Sequence, residues 1–118
     1  MNRDSQHPII DRPYEYDILA MHYQAAADEV EPFLDLTLGR GELVRRLRFF
    51  SPRDLKIEKG FPVATGGMEI LDVSVRQMEG IGVLVGDFES SPGSITFWAR
   101  KVVDLDTAEA NQLADPVY

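Results

Sequence analysis

The sequence predicts a mainly β fold: a single-domain antiparallel meander of six or seven strands, curled into a sandwich or partial barrel, with one or two short helical pieces. Three observations carry this reading. Apolar and polar residues alternate with period two along Phe33-Leu34-Asp35-Leu36-Thr37-Leu38, and again from Leu43 to Phe50. Clusters of glycine, proline and serine punctuate the chain at close, regular spacing between Pro32 and Val103. A length of 118 residues leaves room for one small core.

In chain order, residues 1–13 are polar and interrupted by Pro8 and Pro13, and read as a flexible arm before a β domain over 14–105. Tyr16 to Tyr23 fits a strand with Leu19, Met21 and Tyr23 on one side. Gln24 to Glu31 has high helix propensity, and Ile18, Met21, His22, Ala25 and Glu29 also stack at helical spacing. A helix over 17–31 therefore competes with a strand followed by a loop and one helical turn, and the strand is preferred. Residues 33–50 form a hairpin that turns at Gly39-Arg40-Gly41 and sends Leu47 and Phe49 inward.

Ser51-Pro52-Arg53-Asp54 is a turn, because proline presets φ and the serine and aspartate side chains can bond the turn backbone. Leu55 to Glu58 makes a short strand ended by Gly60, and Phe61 to Gly67 a loop. Met68 to Val75 is the next strand, with Leu71, Val73 and Val75 inward. Ile81 to Phe88 then runs to Ser90-Ser91-Pro92-Gly93, and Ser94 to Val103 forms the last strand. In the tail, 106–118, Asp106 with Glu109 caps a short helix through Leu113 that Pro116 ends.

A three-residue turn at 91–93 sets Ser90 opposite Ser94. Val85 then lies opposite Ala99, Ile81 opposite Val103 and Gly86 opposite Trp98. Odd-numbered residues face the core, and Trp98 covers Gly86 on the other face. A slip of one residue would exchange the two faces.

Composition narrows the class. Hydrophobic residues make up 44% of the chain and mean hydropathy is −0.19, which excludes wholesale disorder. The apolar runs fall far short of the roughly 20 residues that span a bilayer, and Met1 to Pro8 lacks the apolar core of a signal peptide. The expectation is a cytoplasmic protein with no membrane contact. With no cysteine, disulfides, thiolate zinc sites and cysteine nucleophiles are excluded together.

The net charge of −8 is unevenly spread: −6 over residues 1–39, +4 over 40–59 and −6 over 60–118. The basic block holds Arg40, Arg45, Arg46, Arg48, Arg53, Lys56 and Lys59. One reading pairs these bases with acidic cross-strand neighbours. The other makes them a polar docking face, since summed charge steers association. Nucleic acid is disfavoured, because duplex binding needs a basic footprint that survives the field of the whole molecule.

Reactive constellations are scarce. The histidines are His7, in the arm, and His22, which with Asp17, Asp28 or Glu31 would supply only part of a metal site. Asp104-Leu105-Asp106 lacks the further oxygens and glycine of a calcium loop. No Gly-x-Ser-x-Gly elbow is present, and Gly66-Gly67 is followed by no phosphate-binding pattern. Asp72, Asp87, Glu69 and Glu89 on neighbouring strands read as an ordinary polar sheet face rather than a paired acid and base. No cofactor is expected.

The aromatic dipeptides Phe49-Phe50 and Phe97-Trp98 each send one ring to either face of a strand. Either both faces are buried because the sheet folds into two layers, or Phe50 and Trp98 form an exposed patch ringed by Arg46, Arg48 and Arg100. Trp and Arg are favoured anchors of protein interfaces, so these five residues are the candidate partner-binding set.

From Asp17 to Val103 the order of short segments resembles small bacterial β-meander domains, some of them immunity proteins of polymorphic toxins. The segments are Asp17-Ile18-Leu19, Leu34-Asp35-Leu36-Thr37-Leu38, Leu47-Arg48-Phe49, Leu55-Lys56-Ile57-Glu58, Ile70-Leu71-Asp72-Val73 and Ile95-Thr96-Phe97. The resemblance implies an all-β fold and a role in binding another protein, and it carries no functional residues across. The expected function is a non-catalytic protein-binding domain, an inhibitor or immunity-type partner, with a protein partner or self-association. The alternative is a small-molecule-binding domain or minor enzyme that uses the sandwich interior, with His22 and a carboxylate as its polar groups.

Overall fold

The computed structural model describes residues 5–61, 67–89 and 93–107. Along them lie β1 (Ser5–Gln6), β2 (Asp17–Gln24), β3 (Phe33–Arg40), β4 (Leu43–Phe50), β5 (Arg53–Ile57), β6 (Met68–Asp72), β7 (Val83–Asp87), β8 (Ile95–Ala99) and β9 (Lys101–Asp104). The helical pieces among the described residues are two 3-10 turns, Pro13–Glu15 and Ser74–Arg76. The strands form two antiparallel sheets, ordered β1-β6-β7-β8-β5 and β2-β3-β4-β9. Each is built on a local three-strand meander, β6-β7-β8 in one and β2-β3-β4 in the other. The remaining strands join at the edges.

Alternation decides which side chains meet between the sheets. Leu34 and Leu36 of β3 lie in register with Phe49 and Leu47 of β4, and all four are fully buried. Val83, Val85, Ile95, Phe97 and Ala99 supply the facing layer, so odd-numbered residues of β7 and β8 point inward as the sequence predicts. Packing the two inner faces together closes one core, the arrangement of a β-sandwich. The β3–β4 hairpin turns over Gly41 and Glu42, with Gly41 at φ +60, a value that costs glycine little. Gly39 and Arg40, expected in the turn, belong to the strand.

Nine strands lie along the described residues where six or seven are expected, and several elements differ from the sequence expectation. The β7–β8 register pairs Val83 with Ala99, Leu84 with Trp98 and Val85 with Phe97. That is two residues away from the expected pairing. A slip of two keeps every face, so the core assignment survives while Trp98 sits opposite Leu84 rather than Gly86. The turn residues 90–92 lie outside the described residues.

The expected strand 94–103 divides at Arg100. Gly82 donates its N–H to Ala99 O in one sheet (3.0 Å), while the Arg100 N–H reaches Phe50 O in the other (2.8 Å). The chain changes sheet there, and Val103 pairs with Arg48 instead of Ile81. A β-carbon on Gly82 would lie 2.7 Å from Arg100 O, so the crossing depends on a residue without a side chain.

On β6, Met68 and Ile70 face inward, while Leu71 is half-buried and Val75 exposed. Apolar residues at 68, 70, 71, 73 and 75 support either parity. The strand ends where Asp72 Oδ1 accepts hydrogen bonds from the Ser74 N–H (2.9 Å) and hydroxyl (2.6 Å). This side-chain turn interrupts the alternation and leaves Val73 buried beyond the strand.

The stretch 24–31 holds no helix. Ala27 bridges Val30 across a tight turn, with Glu29 at φ +60. The turn delivers the Glu31 carboxylate to Arg100, a tertiary pairing that local helix propensity does not register. Near the N-terminus, Ser5 and Gln6 pair with Asp72 and Leu71, the His7 N–H reaches Ile70 O (2.8 Å), and Ile10 is buried in the core. The arm is therefore fastened from Ser5 onward, by an apolar Ile9-Ile10 pair that its polar surroundings masked. Of the expected helix over 106–113, Asp106 and Thr107 lie in a turn and the rest falls outside the described residues.

Candidate functional site

Most of the basic block is neutralised inside the fold. Arg48 forks Asp35 from the neighbouring strand (2.8 and 3.0 Å), with its guanidinium carbon 3.7 Å from the Phe33 ring centroid. Arg46 bonds Asp106 (2.6 and 3.1 Å), and Arg40 bonds Glu15 (2.9 Å). Arg45 points to the core side, where it holds both Asp104 (2.7 and 3.0 Å) and the Ile9 carbonyl (2.6 Å). Arg100 grips Glu31 with two bonds of 2.7 Å, and the Ser51 hydroxyl donates to the same carboxylate. Glu31 is only 5% exposed, so this trio closes a polar corner that the sequence reading did not anticipate.

The five candidate residues do not form one patch. Phe50 is 3% exposed and is covered by Arg100 and Lys101, whose cationic groups lie 5.6 and 5.1 Å from its ring centroid. Arg46 and Arg48 stand on the outer face of β4, and Arg100 at the crossing. Trp98 belongs to the other sheet. It is half-buried on the outer face of β8, with Thr96 as its same-face neighbour and Arg53 of β5 in register beside it. The Arg76 guanidinium lies 5.5 Å from its ring centroid. Arg53 and Arg76 thus take the place beside the indole expected for Arg100.

Around Trp98 the sheet surface opens into a groove of about 580 Å³, lined by Asp54, Lys56, Leu84, Gly86 and Thr96 among others. Strand β5, along one wall, has all five residues exposed. Arg53 and Lys56 make no ion pair among the described residues, unlike the arginines farther back in the block. Gly86, with no side chain, leaves the floor open beside the indole. The proline turn before β5 was legible in the sequence; the register that sets Arg53 against Trp98 was not, because β5 crosses to the far side of β8.

His22 lies on the exposed outer face of β2, opposite Asp35, with its ring 6.0 Å from that of Phe33. Asp35 is already engaged by Arg48. The histidine therefore borders a surface recess of about 170 Å³ on the outer face of its sheet. Among the described residues no three His, Asp or Glu side chains converge on a point that would hold a metal ion. No described helix is long and apolar enough to cross a membrane. The groove offers an aromatic platform, a hydroxyl, the Lys56 ammonium and the Asp54 carboxylate, with Arg53 in register beside the indole, a set suited to stacking and charge-assisted hydrogen bonds.

No protein-family model matches the chain, and neither the curated proteins nor the solved structures give a match to it.

Proposed function

We propose that the protein is a non-catalytic protein-binding domain of a bacterial cytoplasm, of the inhibitor or immunity type. It takes an acidic, extended segment of its partner into the groove over Trp98. The observation that carries this reading is the pairing of a half-exposed Trp98 with Arg53 and Lys56, cations without an ion pair among the described residues, along a fully exposed strand. Tryptophan and arginine in an open depression are the usual anchors of a protein interface. An acidic segment would meet positive charge at this one wall, while the acidic remainder of the surface repels it elsewhere.

Selection of peptides from a random display library against the folded chain tests the proposal. Selected peptides should be acidic, should shift the amide resonances of β5 and β8, and should lose roughly tenfold or more in affinity on Trp98→Ala. Peptides that map to other strands, or that bind Trp98→Ala equally well, would refute it.

A further inference from the structure

Among the described residues the two sheets have four edge strands, and these are not alike. Strand β1 is two residues long. Strand β9 has four residues and carries Lys101 and Asp104. Strand β5 carries Arg53, Asp54 and Lys56, and its register shifts between Arg53 and Lys56. Short length, charge and bulges are the devices that keep a sheet edge from pairing with another chain. Strand β2 has none of them over most of its eight residues. From Ile18 to Gln24 it contains no charge and no proline, and its single irregularity, between Ile18 and Ala20, leaves 20–24 regular. A comparably uncharged run, Ile95–Ala99, occupies β8, which is hydrogen-bonded on both sides.

The side chains at this edge are incompletely covered as well. Met21 and Tyr23 stand in register with Leu36 and Leu34, on the face that packs toward the other sheet. The two leucines are fully buried, yet Met21 is 39% and Tyr23 47% exposed. The apolar inner face is therefore open to solvent along β2. An apolar, unprotected edge of this kind marks an association site.

We infer that β2 pairs antiparallel with β2 of a second copy about a two-fold axis at His22, joining two four-stranded sheets into one of eight. An isologous antiparallel pair sets one residue opposite itself. With His22 at the axis, Met21 of each copy lies opposite Tyr23 of the other, and Ala20 opposite Gln24. The four exposed apolar side chains then cover one another on the inner face. The irregularity at Leu19 ends the ladder at both ends.

Charge selects this occupant. A charged foreign strand finds nothing to read between Ile18 and Gln24, whereas a chain of net charge −8 can meet itself only along a seam free of acids. The inference does not depend on the groove over Trp98, which lies on the other sheet.

Sedimentation equilibrium of the full chain, from micromolar to sub-millimolar concentration, tests it. The expected result is a dimer that His22→Lys weakens roughly tenfold or more, because the substitution opposes two ammonium groups across the axis. Within its own sheet that substitution faces Asp35, and at concentrations low enough for both chains to be monomeric its unfolding midpoint should match the parent. Ile57→Lys, at the exposed β5 edge, should leave association unchanged. In the unaltered chain, amide exchange over Ile18–Gln24 should slow as concentration rises. A monomer throughout the range, exchange independent of concentration, or equal loss with Ile57→Lys would overturn the inference.

Discussion

Phe49 of β4 and Phe97 of β8 meet edge to face across the sandwich, with ring centroids 5.0 Å apart and planes at 89°. They stand on different sheets, 48 residues apart in sequence, and each is at most 1% exposed. This contact ties the two layers together at their centre. The electron-poor edge of one ring against the face of the other adds to what burial alone contributes.

Truncating either ring should therefore cost about 3–5 kcal/mol of unfolding free energy, the range for large-to-small changes of buried phenylalanine. Chemical denaturation of Phe49→Ala, Phe97→Ala and the double variant should show coupling of about 0.5–1.5 kcal/mol, since both changes remove the same contact. Strict additivity would mean that the rings stabilise the fold independently. Leu47→Ala should cost about 2–4 kcal/mol, and Trp98→Ala less than that, because Trp98 lies outside the sealed core.

A second prediction concerns Asp104, 8% exposed and bonded twice by Arg45. Burial pushes its carboxyl upward. The Arg45 bonds and the N–H groups of Asp106 and Thr107 outweigh burial, and hold it below the ordinary value of 3.8. A carboxylate depressed in the folded state adds stability that is present above the unfolded value and lost as pH falls through the folded one. Asp104→Ala should cost about 3 kcal/mol at neutral pH, the low end for breaking a buried pair. Denaturation midpoints from pH 7 to strongly acid buffer should flatten in the variant relative to the parent chain. Equal acid sensitivity would place the loss on other carboxylates.

His7 should make the N-terminal fastening pH-dependent. Its Nδ1 accepts the Ile9 N–H at 3.1 Å, which requires a neutral imidazole. Burial lowers its pKa from 6.5, against the opposing pull of Asp72. A base depressed on folding stabilises fully above the unfolded value, and that stability is lost as pH falls below about 6.5 toward the folded value. The protection factor at Ile9, corrected for the intrinsic pH dependence of exchange, should fall over that interval, while core amides of β3 and β4 stay protected. A uniform loss of protection across the chain would indicate global unfolding instead.

Gly82→Ala should cost about 1–3 kcal/mol, as overpacking against a fixed backbone does. The new β-carbon would meet Arg100 O at 2.7 Å, and both chains at that point are held by ladder bonds. Gly41→Ala meets no neighbour, so its cost comes from the positive φ alone, about 1 kcal/mol. Thermal unfolding of the two variants separates crowding from backbone strain.

Strand positions and inward faces along 33–50 and 83–99 were legible in the sequence, because alternation with period two is a local property of a half-buried strand. The absence of thiol chemistry and the segregation of charge were legible for the same reason, since both are properties of composition. Pairing over distance was decided only in three dimensions. Arg100, central in an apparently continuous strand, became the point where the chain changes sheets, because Phe50 O and Ala99 O lie on different layers. Trp98 parted from Phe50 and gained Arg53 and Arg76 once β5 crossed beyond β8. Arg48 found Asp35 across the hairpin, as the cross-strand reading expects, whereas Arg40, Arg45 and Arg46 found their acids in remote segments, which no local pattern records. Alternation declares which side of a strand is apolar; only the packed sheets determine which strand lies beside it, and therefore which charges are neutralised and which edge stays open.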